Sequence, residues 1–362
     1  MGIRISDVLY LLQQLSPLFW AADLYRIPIS REDVFPGDTW GQLVAPIKVG
    51  NYDTYALIDT GTPLLFFIWR HWFEGVQPGG CKLYVFGCYE CSPDVCTKGD
   101  ETTFKYDNDY TVTLFRQQDT LSLGASSVPH ISFGLVTGVS KRPWASLGLA
   151  PQTPQTHPYR TLIDQLAQRR LINETTFSIY LKDNEHPKGE LLLGGSDPAK
   201  YRAPLKYIQV SGYGVSNNKW SVELRNLKIG QTRGIIITPQ NVDVDTGTNH
   251  LIMPDWFKRN VLNLLRNSGQ KPVTISEDAE GYLVKCSDTP NLPSMTYIFV
   301  GPQGQEVPLR IPPTSLFRKS GDDVCRLLLY FTDDWLLGIN AFIGHYFSFH
   351  WTKRLIGFSE AV

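Results

Sequence analysis

The sequence predicts an all-β protein with few short helices, arranged as two similar lobes, and three observations carry that prediction. Short runs of alternating apolar and polar residues, as at 110–114, 121–123 and 222–229, are broken by Gly, Pro, Asn and Asp. That is the period-two pattern of half-buried strands. Helical periodicity is confined to 159–168, with Leu162, Ile163 and Leu166 on one side, and 254–267, where Pro254 suits a helix start. Finally, one phrase occurs twice, Ile58-Asp59-Thr60-Gly61-Thr62 and Val244-Asp245-Thr246-Gly247-Thr248, each time closing an apolar strand. With no βαβ rhythm between them, a pair of antiparallel barrels or sandwiches is favoured over a doubly wound sheet.

The 362 residues suffice for two domains with a large core. A 42% hydrophobic and 19% charged composition excludes a disordered chain, and a net charge of −1 without a dense basic cluster gives no footprint for nucleic acid or an anionic membrane. At the amino end, Arg4 precedes an apolar run over 8–20, and the small Ala21 and Ala22 follow. Residues 1–22 read as a signal peptide; the interruption by Gln13 and Gln14 leaves an amphipathic helix as the alternative. No later stretch is long and apolar enough to span a bilayer.

Of six cysteines, Cys81, Cys88, Cys91 and Cys96 crowd together, while Cys286 and Cys325 stand apart. Four close thiols suit zinc or two disulfides; the spacings match no zinc template, which favours disulfides in an oxidising compartment with three pairings open. In that compartment the sequon Asn173-Glu174-Thr175 would carry glycan.

The repeated phrase carries the chemistry. A carboxylate where a β-branched strand breaks into a glycine turn is held rigidly yet points outward, as acid–base work requires. Each copy is followed later by a glycine inside an apolar strand, Ala145-Ser146-Leu147-Gly148-Leu149 and Trp335-Leu336-Leu337-Gly338-Ile339. Glycine there implies close approach of another backbone, for which the Asp-Thr-Gly turn is the natural neighbour. Two such carboxylates brought face to face cannot both ionise cheaply, so one keeps a proton and the pair acts as acid and base together. An isolated Asp-Thr-Gly is commonly an ordinary strand-end turn; two copies, each with its glycine strand, are far more specific.

These residues resemble the pepsin-like aspartic proteases, bilobal all-β enzymes whose active-site cleft lies between two β-barrel-like lobes. Leu191-Leu192-Leu193-Gly194-Gly195-Ser196-Asp197 is similar to the family's lobe junction, and 335–338 through 355–358 to its carboxyl end. The resemblance implies an amino-terminal lobe over 41–200 and a carboxyl-terminal lobe over 201–362. It also implies catalysis by Asp59 and Asp245, Thr60 and Thr246 bracing the loops across the interface, and Thr62 and Thr248 with hydroxyls on the outer carboxylate oxygens. Gly61 and Gly247 complete the turns, and Cys286 would pair with Cys325. The implied reaction is hydrolysis of peptide bonds between bulky apolar residues at acid pH, without metal or cofactor. It would be carried out by a monomer secreted or held in an endolysosomal lumen, with peptide or protein substrates and no nucleic-acid or membrane partner.

Four departures qualify this. The family's flap carries Tyr-Gly-Thr/Ser-Gly, whereas this chain reads Tyr106-Asp107-Asn108-Asp109-Tyr110; Tyr106 matches the flap tyrosine, and two aspartates replace glycines. The result is either a flap with altered tip chemistry or no flap. Asp243 lies two residues before Asp245, on the same strand face, and would either raise the pair's proton affinity or bond a nearby cation. Pro63 follows Thr62 and leads into the apolar 64–69, where Trp69 or Trp72 would brace the flap tyrosine or serve as core. Lastly, Leu24-Tyr25-Arg26-Ile27-Pro28-Ile29 resembles the start of a pro-segment, but residues 23–40 are short for one.

Overall fold

The computed structural model describes residues 24–38, 40–91, 96–106, 109–151, 158–182, 186–236 and 238–362. Residues 1–22, Asp107 and Asn108 lie outside the described residues. Strands dominate, and the expected helices appear at Leu162–Gln168, capped by Thr161, and Lys258–Asn267, preceded by a 3-10 turn at Asp255–Phe257. The apolar run after the first Asp-Thr-Gly divides into a buried strand, Leu65–Ile68, and a short helix, Arg70–Val76, which alternation alone did not reveal.

Both halves repeat one topology around their motif. In the first, strand Tyr52–Asp59 runs parallel to Ser146–Gly148, pairing Asp59 with Gly148. Leu65–Ile68 packs antiparallel on the other side of Ser146–Gly148 and parallel to Ser126–Val139. In the second, Gln240–Val244 runs parallel to Leu336–Leu337, which pairs antiparallel with Leu251–Pro254, itself parallel to Leu329–Thr332. The glycine expectation holds at both sites. A Cβ on Gly148 would lie 2.4 Å from the Leu64 amide nitrogen, and one on Gly338 would lie 2.3 Å from the His250 carbonyl oxygen. Neither gap admits a methyl group, so glycine is what lets each motif's loop close over its neighbouring strand.

The lobes are joined by strands contributed from both ends of the chain. Lys206–Gln209, Leu355–Glu360 and His345–His350 continue into Thr176–Leu181, Lys188–Leu193 and Tyr25–Glu32 within one sheet. At its centre Ser178 pairs with Ser348, and their buried hydroxyl oxygens lie 3.0 Å apart. Tyr25–Glu32, inside the stretch read as pro-like, therefore sits in the joining sheet, paired with Lys188–Leu193 and Gln42–Val49, with Tyr25, Ile27 and Ile29 buried.

The cysteine alternatives resolve into disulfides Cys81–Cys88 and Cys91–Cys96, and Cys286 is bonded to Cys325. Asn173 is exposed on the turn before Thr176–Leu181. No helix among the described residues is long and apolar enough to cross a membrane.

Candidate active site

The two Asp-Thr-Gly turns meet at the lobe interface. The Thr60 amide donates to Thr246 Oγ1 at 3.1 Å, and the Thr246 amide donates to Thr60 Oγ1 at 3.0 Å. Each hydroxyl then donates across the interface at 2.7 Å, Thr60 to the Val244 carbonyl and Thr246 to the Ile58 carbonyl. Four reciprocal bonds between buried residues thus fix the loops against each other.

Across this brace each carboxyl group is packed against the glycine turn of the other motif, so Asp59 and Asp245 face each other. The glycines make that approach possible: a Cβ on Gly61 would lie 2.6 Å from Asp245 Oδ1, and one on Gly247 would lie 2.6 Å from Asp59 Oδ1. A larger residue at either position would drive the pair apart. The Gly61 amide donates to Asp59 Oδ1 at 2.9 Å and the Gly247 amide to Asp245 Oδ1 at 2.8 Å.

The outer oxygens break the symmetry. Thr248 donates its hydroxyl to Asp245 Oδ2 at 3.1 Å, as expected. Thr62 instead gives Asp59 only its amide, at 3.2 Å to Oδ1, while its hydroxyl oxygen lies 3.5 Å from that of Tyr106. Burial, followed by the charge of Asp245, pushes the Asp59 carboxyl well above the usual carboxylate range. Burial also raises Asp245, but the Gly247 amide and the Thr248 hydroxyl oppose the rise. Burial thus favours keeping a proton on the pair, and the Thr248 hydroxyl gives the Asp245 carboxylate a side-chain donor where Asp59 receives only amides.

Asp243 realises both of its readings. Lys219 Nζ lies 3.2 Å from its Oδ2, and its charge still adds a small upward push on Asp245.

A flap is present: strands Glu101–Lys105 and Thr111–Leu123 form a hairpin that places Tyr106 over the Asp59 turn. The Tyr106 amide donates to the Tyr110 carbonyl at 2.7 Å, and Asp109 takes the left-handed conformation that glycine would favour, φ 59°, with Lys105 paired to its carboxylate. Aspartate is among the few residues that tolerate this geometry, which is how the hairpin closes without glycine at that position.

Neither Trp69 nor Trp72 braces the flap tyrosine. Trp69 donates Nε1 to the Cys91 carbonyl and packs on Phe115 in the lobe core, and Trp72 stacks on Phe73. The brace is Trp144, which the sequence reading missed. Its indole centroid lies 5.5 Å from Tyr106, 4.7 Å from Tyr110 and 5.4 Å from Phe66. Tyr110 also donates its hydroxyl to the Arg142 carbonyl, so the flap base is anchored on residues 142–144. No local signal marks Trp144, because it reaches the flap from a segment distant in sequence.

A family model for eukaryotic aspartyl proteases matches residues 42–361. Similar chains include renin of Rattus norvegicus, 25% identical over 367 residues covering 94% of this chain and 88% of that one. Cathepsin D of Homo sapiens is 27% identical over 343 residues, covering 84% and 76%. Renin of Ovis aries is 26% identical over 289 residues, covering 72% and 68%. With its lobe topology, crossed threonines and facing carboxyl groups, and with a family match spanning both motifs, the chain belongs to the eukaryotic aspartyl protease family.

Proposed function

We propose that the protein is an endopeptidase in which Asp59 and Asp245 are the catalytic pair. The observation that carries this reading is the facing approach of their carboxyl groups, each packed against the other motif's glycine, which admits nothing larger. Asp245, ionised, takes a proton from a water held between the two. Asp59, protonated, gives its proton to the scissile carbonyl oxygen as the water oxygen attacks the carbonyl carbon. The tetrahedral product collapses when Asp245 returns its proton to the leaving nitrogen and Asp59 recovers one from the gem-diol. Atoms and charge balance without a covalent enzyme intermediate.

The apolar wall built by Leu64, Phe66, Tyr106 and Trp144 supports bulky apolar residues as the preferred neighbours of the cut bond. Three disulfides support a secreted or endolysosomal setting for a monomer of two lobes, 41–200 and 201–362. Digestion of a peptide pool between about pH 3 and 6, with the cut bonds mapped, tests this. Cuts between bulky apolar residues that a statine-type peptide suppresses are expected, because such a peptide mimics the tetrahedral species. Cuts that this peptide leaves untouched would refute the reading.

Two observations favour a second reading, a protein that binds peptides in the cleft without cutting them. The Thr62 hydroxyl faces Tyr106 and not Asp59, and the flap turn carries Asp109 where relatives use glycine. Tight binding of an apolar peptide that stays uncut at pH 4 would favour this reading.

A further inference from the structure

A second site lies behind the cleft, where the back of the flap hairpin meets the helix Leu162–Gln168. Arg116 and Gln118 alternate onto one face of Thr111–Leu123, opposite Gly134 and Ser132 of Ser126–Val139. A Cβ on Gly134 would meet the Tyr159 hydroxyl at 2.7 Å, so Tyr159 closes that end of the face, and Arg116 and Gln118 stand exposed beyond it. The helix is tied across it by the buried Gln165, whose Oε1 accepts from the Ser132 amide at 2.7 Å and whose Nε2 donates to the Ser132 carbonyl at 2.8 Å. Arg160 lies just before the helix and Arg169 just after it.

The result is a cavity of about 400 Å³ into which Arg116, Arg160, Arg169 and His130 all face, with Gln118, Gln168 and Ser132 between them. No carboxylate lines it among the described residues, and none of the three guanidinium groups forms an ion pair there. Their recorded partners are neutral: Arg116 donates to Ser132 Oγ at 3.0 Å and Arg169 to the Pro129 carbonyl at 2.6 Å. A guanidinium has five donors, and each of these bonds uses one of them. Three like charges around one space repel one another, and an anion with several oxygens would relieve that repulsion while accepting from more than one guanidinium.

From this placement we infer that the cavity binds a tetrahedral oxyanion ester, a phosphate or sulfate carried on a sugar. The arginines hold the anion, and the glutamine amides and Ser132 meet the sugar hydroxyls. The volume is many times the roughly 30 Å³ share of a water molecule, enough for a charged monosaccharide or disaccharide. The site is separate from the catalytic pair. Its inner wall is Tyr159, whose hydroxyl donates to the Leu65 carbonyl at 2.8 Å, on the strand after the Asp-Thr-Gly turn.

Calorimetric titration of the full chain with inorganic phosphate, glucose 6-phosphate and a trisulfated heparin disaccharide, at constant ionic strength set with chloride, tests the inference. Saturable binding of at least one ester, tighter than inorganic phosphate, is expected. The double variant Arg116→Gln/Arg169→Gln should weaken it at least tenfold, while Arg202→Gln, on a distant surface pair with Glu360, leaves it unchanged. Should the double variant lose its circular dichroism, Arg160→Gln, at an exposed residue, gives the same test with an expected loss of severalfold. Preference for glucose 6-phosphate or for the disaccharide identifies the source of the anion. No saturable binding of either ester, or binding indifferent to the arginine substitutions, would overturn the inference.

Discussion

The hydroxyl oxygens of Thr62 and Tyr106 lie 3.5 Å apart, so the amino-lobe threonine faces the flap, whereas its counterpart Thr248 faces the carboxylate of its own motif. Two motifs that are letter for letter alike in Asp-Thr-Gly-Thr therefore give their carboxyl groups unequal support.

That inequality predicts a directional pH effect. Asp245 must be ionised to act as base, so its titration sets the acid limb of the pH–rate profile. A hydrogen bond to an ionised group is worth about 1.5–3 kcal/mol, or roughly one to two pH units. Thr248→Val should move the acid limb upward by about that amount, and Thr62→Val should leave it in place. Equal shifts in the two variants would mean that the proton is not settled on Asp59.

Trp144 predicts a division between stability and turnover. It is half-buried and holds Tyr106 and Tyr110 edge-on, so Trp144→Ala should lower kcat/KM on the order of 10–100-fold through a misplaced flap. Its stability loss should be about 2 kcal/mol, and Trp144→Phe should restore most of the rate. Trp69→Ala, in the core, should cost about 3–5 kcal/mol. Urea unfolding beside steady-state kinetics separates the two, and the account fails here if Trp144→Ala changes only stability.

His250 predicts a loss of stability in acid. Its ring centroid lies 4.4 Å from that of Trp40, and burial, followed by the charge of Arg31, lowers it to about 4. An unfolded histidine titrates near 6.5, so between that value and about 4 the unfolded chain binds the extra proton. Stability should therefore fall as pH drops through this window, by up to roughly 3 kcal/mol, and level off below it. The difference between wild type and His250→Phe should carry that slope; a difference independent of pH would show that the imidazole titrates normally.

Most of the fold was legible because its determinants are local or repeated. The doubled Asp-Thr-Gly-Thr and the glycines at 148 and 338 announce a tight crossing of backbones, and that crossing is what the structure contains. The threonine brace between lobes was legible only through the family resemblance, since no spacing tells that Thr60 and Thr246 meet. What escaped were tertiary choices among chemically similar groups. Trp144 was not distinguishable from Trp69 or Trp72, because the indole that reaches Tyr106 depends on where residues 142–144 cross the flap. Thr62 has the same neighbours in sequence as Thr248 up to the residue that follows. There Pro63 stands in one case and Asn249 in the other, and the Thr62 hydroxyl lies beside a flap tyrosine that is distant in sequence.

Hydrolysis of a quenched apolar peptide across pH 3 to 6 by wild type, Asp59→Asn and Asp245→Asn is the most direct measurement. The account predicts cleavage by the wild type in mild acid and a loss of at least about 10²-fold in each variant, as expected when an acid or a base is removed from a coupled pair. A wild type that binds the peptide without cutting it, or a rate that either substitution leaves unchanged, would contradict it.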